Sequence, residues 1–220
     1  MRKSFKISIS SLVLLALMAF GNIDKSNYLD QGQLTEKGYS NSFLGFDVPV
    51  ERGWWLNIMG QVTTMTDTGF MNKVSINKKL NFGEHPNDIE TAYLVQMHKY
   101  NPNLRIKRAN PTMTITIENL AKLGTSMNQI DSYLKKAKEL MINGKGGQQY
   151  TFIPGYKKLV VDGVDFAYMD AIIQQGDQTV RQRFISTFRR NFAVSFVLAY
   201  ASAEDLPSMM NMVRRTKLKE

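Results

Sequence analysis

The sequence predicts an α+β domain in which helices flank an antiparallel β-sheet, on three observations. First, residues 166–175, 179–188 and 192–200 form three apolar-rich segments joined by tight turns at Gly176-Asp177 and Arg189-Arg190-Asn191, the pattern of a three-strand meander. Second, the later two alternate strictly. Val180, Gln182, Phe184, Ser186 and Phe188 share one face, and Phe192, Val194, Phe196, Leu198 and Tyr200 share another, as the two-residue period of a strand requires. Third, two stripes at helical spacing supply cover for the sheet: Met127, Ile130, Leu134, Ala137 and Met141, and then Leu206, Met209, Met210 and Val213.

The chain is 220 residues long, with 43% hydrophobic and 21% charged residues, enough for one sizeable core. Its first 21 residues differ in kind. Arg2, Lys3 and Lys6 precede the uncharged run 7–20 and the small-x-small triplet Ala19-Phe20-Gly21, which reads as a secretory signal cleaved after Gly21. As a helix that run rises only about 21 Å, short of a hydrocarbon core of about 30 Å, so the processed chain is expected to carry no dedicated membrane span. Residues 22–38 are polar and aperiodic and read as a flexible spacer, and one domain is expected over 39–218. The expected location is outside the cytoplasm: secreted, periplasmic or at the cell surface.

With zero cysteines the chain has no disulfide, no thiol chemistry, no thiolate metal site and no lipidated cysteine, so an exported domain must be held by its core. Loss of Arg2, Lys3 and Lys6 lowers the formal net charge from +9 to +6. Eight basic residues stand against three acidic ones from Gln178 onward, which fits an anionic partner or cell-surface polymer as well as a solvated strand face.

Taken in order, residues 39–50 read as a first strand, followed by a turn at Gly53 and two large indoles, Trp54 and Trp55, which point opposite ways if extended. Residues 56–62 fit a short helix, 63–70 a loop, and 73–82 a weakly alternating segment. Strands are expected over 92–100, ended by Asn101-Pro102, and around Met113, Ile115 and Ile117, with Thr112, Thr114, Thr116 and Glu118 on the opposite face. Ser126 and Gln129 fit a capping box for the first helix, which stops at Asn143-Gly144. Short strands at 148–153 and 158–161 lead into the meander. The last helix starts near Ser202, with Glu204 and Asp205 in its first turn and Arg214 and Arg215 in its last.

Several of these features also carry a family likeness. Tyr39-Ser40-Asn41, Leu44-Gly45-Phe46 and Gly53-Trp54 at the start, the central helix, the Asp162-Gly163-Val164 entry to the meander and Ala203-Glu204-Asp205-Leu206 together resemble the PsbP-like α/β sandwich superfamily, which includes exported bacterial members of unknown role. The resemblance spans about 180 residues. It implies an antiparallel sheet between helices and a habit of binding other proteins. It transfers no catalytic residue, since fold alone does not carry chemistry. The proline that usually shortly precedes the Gly-Trp pair is displaced here to Pro49.

No reaction is named by a motif. Lys145-Gly146-Gly147 closes a helix instead of opening one, the reverse of a phosphate loop. His85 and His98 stand 13 residues apart without metal-ligand spacing, and no GxSxG elbow accompanies them. Asp165 and Asp170 on one strand and Arg181 and Arg183 on the next fit cross-strand ion pairs. The sequence reading is therefore a noncatalytic exported domain, without catalytic residue, metal or cofactor and without a nucleic-acid target, that binds a protein or an anionic envelope polymer. The candidate contacts are Arg181, Arg183, Arg189 and Arg190. The alternative is a small-ligand carrier or hydrolase with a pocket between sheet and helices around Trp54, Trp55 and Tyr200.

Overall fold

The computed structural model describes residues 32–58, 61–66, 69–70, 90–104, 108–123, 129–143, 149–175 and 178–219. Residues 1–21, read above as a secretory signal, the capping box at Ser126, His85, the Lys145-Gly146-Gly147 run, the residues Gly176-Asp177 and the 73–82 segment lie outside them. Among the described residues no helix is long and apolar enough to cross a membrane.

The meander is present as three long antiparallel strands, β11 (Val164–Gln175), β12 (Gln178–Arg189) and β13 (Phe192–Tyr200). Arg190 and Asn191, both at positive φ, make the two-residue β12–β13 turn whose twist matches that of the strands it joins. From this centre the large sheet extends both ways. On one side β11 pairs with β9 (Tyr150–Phe152) and β10 (Lys157–Val161). On the other, β13 leads to β8 (Thr112–Asn119), β7 (Thr91–His98), β4 (Trp55–Ile58), β5 (Gln61–Thr66) and β6 (Gly69–Phe70), antiparallel throughout. A second, four-stranded sheet runs β1 (Gln33–Thr35), β2 (Gly38–Asn41), β3 (Phe46–Pro49) and β14 (Lys217–Leu218).

Both faces of the large sheet are packed. On the first lie helix α2 (Leu206–Arg214) and the small sheet. Met209, Met210 and Val213 join Phe46, Phe166, Phe196 and Leu198 in the larger core, where the Phe46 and Phe166 rings stand 6.3 and 6.2 Å from that of Phe196. On the opposite face lies helix α1 (Ile130–Asn143), whose Tyr133 and Leu134 pack with Ala167, Met169, Phe184 and Ala193. Alternation therefore sends apolar residues to both sides: Phe184 serves the second core and its neighbour Ile185 the first.

Three segments differ from expectation. Residues 39–50 are a hairpin, β2–β3, because Asn41 folds back, its Oδ1 accepting from Leu44 N at 2.8 Å. The described residues of the segment read as a helix are strand: β4 buries Leu56 and Ile58 at period two and β5 begins at Gln61, running on into the stretch read as a loop, where β6 follows. Strand β1 falls inside the segment read as a spacer; its three residues are too few and too polar to show a period, and pairing with β2 defines them.

Candidate functional site

The four arginines do not converge on one surface. Arg183 is half-buried, its Nε and Nη2 donating to the two Asp170 oxygens at 2.6 and 2.9 Å, and its guanidinium lies 4.4 Å from the centre of the Tyr168 ring. The register puts Asp170 opposite Arg183, so one of the cross-strand pairs read from the sequence forms, whereas Asp165, opposite Val160, lies on the other face of the sheet from the arginines. Burial works against the guanidinium charge, and the Asp170 hydrogen bonds and charge outweigh it, holding Arg183 firmly protonated. Two residues along, Arg181 is exposed and donates to Ala201 O at 3.1 Å. Tyr200, buried and paired in register with Arg181, carries its hydroxyl beside both arginines. Burial is the main reason its acidity is weakened, with the cations pulling the other way. Arg181, Arg183 and Tyr200 thus meet at one corner of the α2 face, with Tyr168 and Asp170.

Arg189 and Arg190 stand at the other end of β12. Arg189 is a staple between the two sheets, donating from Nε to Leu44 O at 3.1 Å and from Nη2 to Lys219 O. Arg190 is exposed in the turn, 5.5 Å from the Phe43 ring centre. A strand advances about 3.3 Å per residue, so six to eight residues put Arg189 some 20–26 Å from the corner.

The aromatic trio is likewise divided. Trp54 and Tyr200 belong to the larger core, whereas Trp55 lies in register with His98, Thr112 and Ala199 on the α1 face. Consecutive strand residues point to opposite faces, so the three side chains do not line one pocket.

Two polar groupings were not legible beforehand. Tyr133 of α1 donates to Glu118 Oε2 at 2.8 Å and lies 3.3 Å from Ser195 Oγ, which is itself 2.7 Å from Ser186 Oγ. This chain ties α1 to β8, β12 and β13. Burial, opposed by the Tyr133 bond and aided by Glu90, raises the Glu118 carboxyl above its ordinary value. The other grouping centres on His98. Thr112 Oγ1 uses its only proton on Asn110 O at 2.9 Å, so at its 3.3 Å contact with His98 Nδ1 it must accept. His98 therefore carries its proton on Nδ1. Its Nε2 is a buried acceptor without a partner among the described residues. Burial lowers the ring's pKa to about 4, keeping it neutral.

The chain is similar to several solved structures. One is the solution structure of cyanobacterial PsbP (CyanoP) from Synechocystis sp. PCC 6803, with 14% identity over 92% of this chain and 99% of that chain and a TM-score of 0.46. Another is LpqN, involved in cell envelope biogenesis of Mycobacterium tuberculosis, with 10% identity over 80% of this chain and 83% of that one and a TM-score of 0.42. A third is PA94 of Pseudomonas aeruginosa, a protein of unknown function, with 13% identity over 56% and 74% and a TM-score of 0.33. No protein-family model matches the chain, and no curated protein matches it.

Substitutions at the corner should separate architecture from surface. Asp170→Ala strands a half-buried guanidinium and is expected to cost about 2–3 kcal/mol, below the full value for breaking a buried pair because both groups keep some solvent. Arg181→Ala is expected to stay within about 0.5 kcal/mol. Urea unfolding of the two variants measures both, and similar losses would mean that the roles of the two arginines are wrongly divided.

Proposed function

We propose that this is an exported, noncatalytic domain of the cell envelope that binds a protein or an anionic envelope polymer through the Arg181 corner. The observation that carries the reading is the pairing of an anchored cation with an exposed one. Arg183 is fixed by Asp170 and Tyr168, and Arg181 beside it presents its charge to solvent. A preorganised positive site loses little entropy when an anionic group docks. Export is supported by the basic, apolar and small-residue pattern of residues 1–21. The noncatalytic reading is supported by the way Ser186, Ser195, Tyr133 and Glu118 are spent on one another inside the fold.

Co-sedimentation of the processed chain with isolated envelope fragments tests it. Binding is expected at low salt, weakened at high salt and reduced several-fold by Arg181→Glu. Absence of any binding would remove the reading, and undiminished binding of Arg181→Glu would remove the corner from it. The second reading, a small-ligand carrier or hydrolase, is favoured by one observation, the unpaired acceptor at His98 Nε2.

A further inference from the structure

Among the described residues the large sheet ends at β10, and the outer backbone edge of that strand has a defined chemistry. Asp162 and Gly163, at φ 47° and 80°, make a two-residue turn, so the closing pair Val161 and Val164 exchanges hydrogen bonds with its backbone groups turned inward. Alternation then turns Leu159 and Lys157 towards β11 as well, and leaves the backbone N–H and C=O of Lys158 and Val160 facing outward. Val160 is 62% exposed, an apolar side chain unusually open for its type.

We propose that this edge pairs with the same edge of a second copy of the chain, antiparallel about a two-fold axis at Leu159. Outward-facing residues must meet outward-facing residues, which leaves few registers. Pairing Lys158 with the partner's Lys158 opposes like charges. Pairing Val160 with the partner's Val160 sets Lys158 against the partner's Asp162, a turn residue at positive φ that is already bonded to Lys217 and Leu218 N. Only the register about Leu159 places Lys158 opposite the partner's Val160 twice over, giving two closed hydrogen-bonded pairs within regular strand.

The side chains agree with that register. Lys158, Val160 and Asp165 all lie on the α1 face, since Val160 is opposite Asp165 in the hairpin. Across the two-fold, each Lys158 lies beside the partner's Val160, with the partner's Asp165 one strand further. That is about 10 Å, two strand spacings, a gap that extended lysine and aspartate side chains close between them. The lysine stem covers the exposed valine, and the ammonium meets an exposed carboxylate. A lysine that would guard this edge against most strands therefore favours this one. The contact is small, so the dimer is weak and concentration-dependent.

Sedimentation velocity of the processed chain over a concentration series reads the equilibrium. A reversible dimer is expected. Val160→Pro removes an outward N–H without touching the β10–β11 ladder, and should weaken the dimer at least about tenfold while its urea midpoint reports an intact fold. Lys158→Glu should weaken it too, and Lys158→Glu with Asp165→Lys should restore it. A monomer at every concentration, or a dimer indifferent to Val160→Pro and to the charge reversal, overturns the proposal.

Discussion

Phe196→Ala is expected to lower the free energy of unfolding by about 3–5 kcal/mol, the cost of emptying a fully enclosed aromatic site. Phe196 is 1% exposed, is paired in register with Ile185 on β12 and Ile115 on β8, and packs against the rings of Phe46 and Phe166. Its neighbours belong to the large sheet and the small sheet, so no single element can collapse into the void and the cavity term stays near its upper range. Urea unfolding with an unchanged m-value gives the number. A loss under about 1 kcal/mol would mean that the small sheet does not seal this face.

The second large effect is acid destabilisation through His98. Its folded pKa, about 4, lies below the ordinary value of 6.5, because burial disfavours the imidazolium and Nε2 has no acceptor for a second proton. The unfolded chain therefore takes up the proton first. The stabilisation is complete above the unfolded pKa and is lost as pH falls from about 6.5 towards 4. At roughly 1.4 kcal/mol per unit this amounts to about 3 kcal/mol. Glu118 acts with the opposite sign: its raised carboxyl pKa makes the folded state the better proton binder, so its contribution improves as pH falls through that range. Comparing wild type with His98→Asn at pH 7 and pH 5 isolates the histidine, because asparagine keeps a donor for Thr112 and cannot titrate. The wild type should lose more stability than the variant over that interval. Equal losses would show that the ring is solvated.

The legible parts of the sequence were those where local pattern and tertiary environment agree. The meander could be read because β12 and β13 are long runs rich in β-branched and aromatic residues joined at Arg190-Asn191, both at positive φ; β13 is buried on both faces, so its composition marks it as a central strand. The last helix could be read from its methionine stripe, although it starts at Leu206: Ser202, Glu204 and Asp205 belong to the 3-10 turn Ala203–Asp205 that leads into it, which Ser202 caps by accepting from Glu204 N. Strands β4 and β5 were obscured by Trp54 and Trp55, two large side chains in a row of which only the first enters the larger core. The Asp170–Arg183 pair was visible as opposite charges on adjacent strands. What makes Arg183 an anchor and Arg181 an exposed charge is register and burial, which no spacing encodes. His98 had only its identity to recommend it; its tautomer and its orphaned nitrogen follow from Thr112, which pairing across β7 and β8 brings beside it.

The pairing of β14 with β3 has a bearing on when the molecule can close. Leu218 sits opposite Phe46, partners separated by some 170 positions along the polypeptide, and Arg189 clasps the same junction through Leu44 and Lys219. Such distant contacts form late, since long-range closure is slow. The early β2–β3 hairpin therefore waits for its outer partner until almost the whole length of the chain is available. Late closure of this kind postpones compaction of the small sheet until both ends of the fold have been brought together.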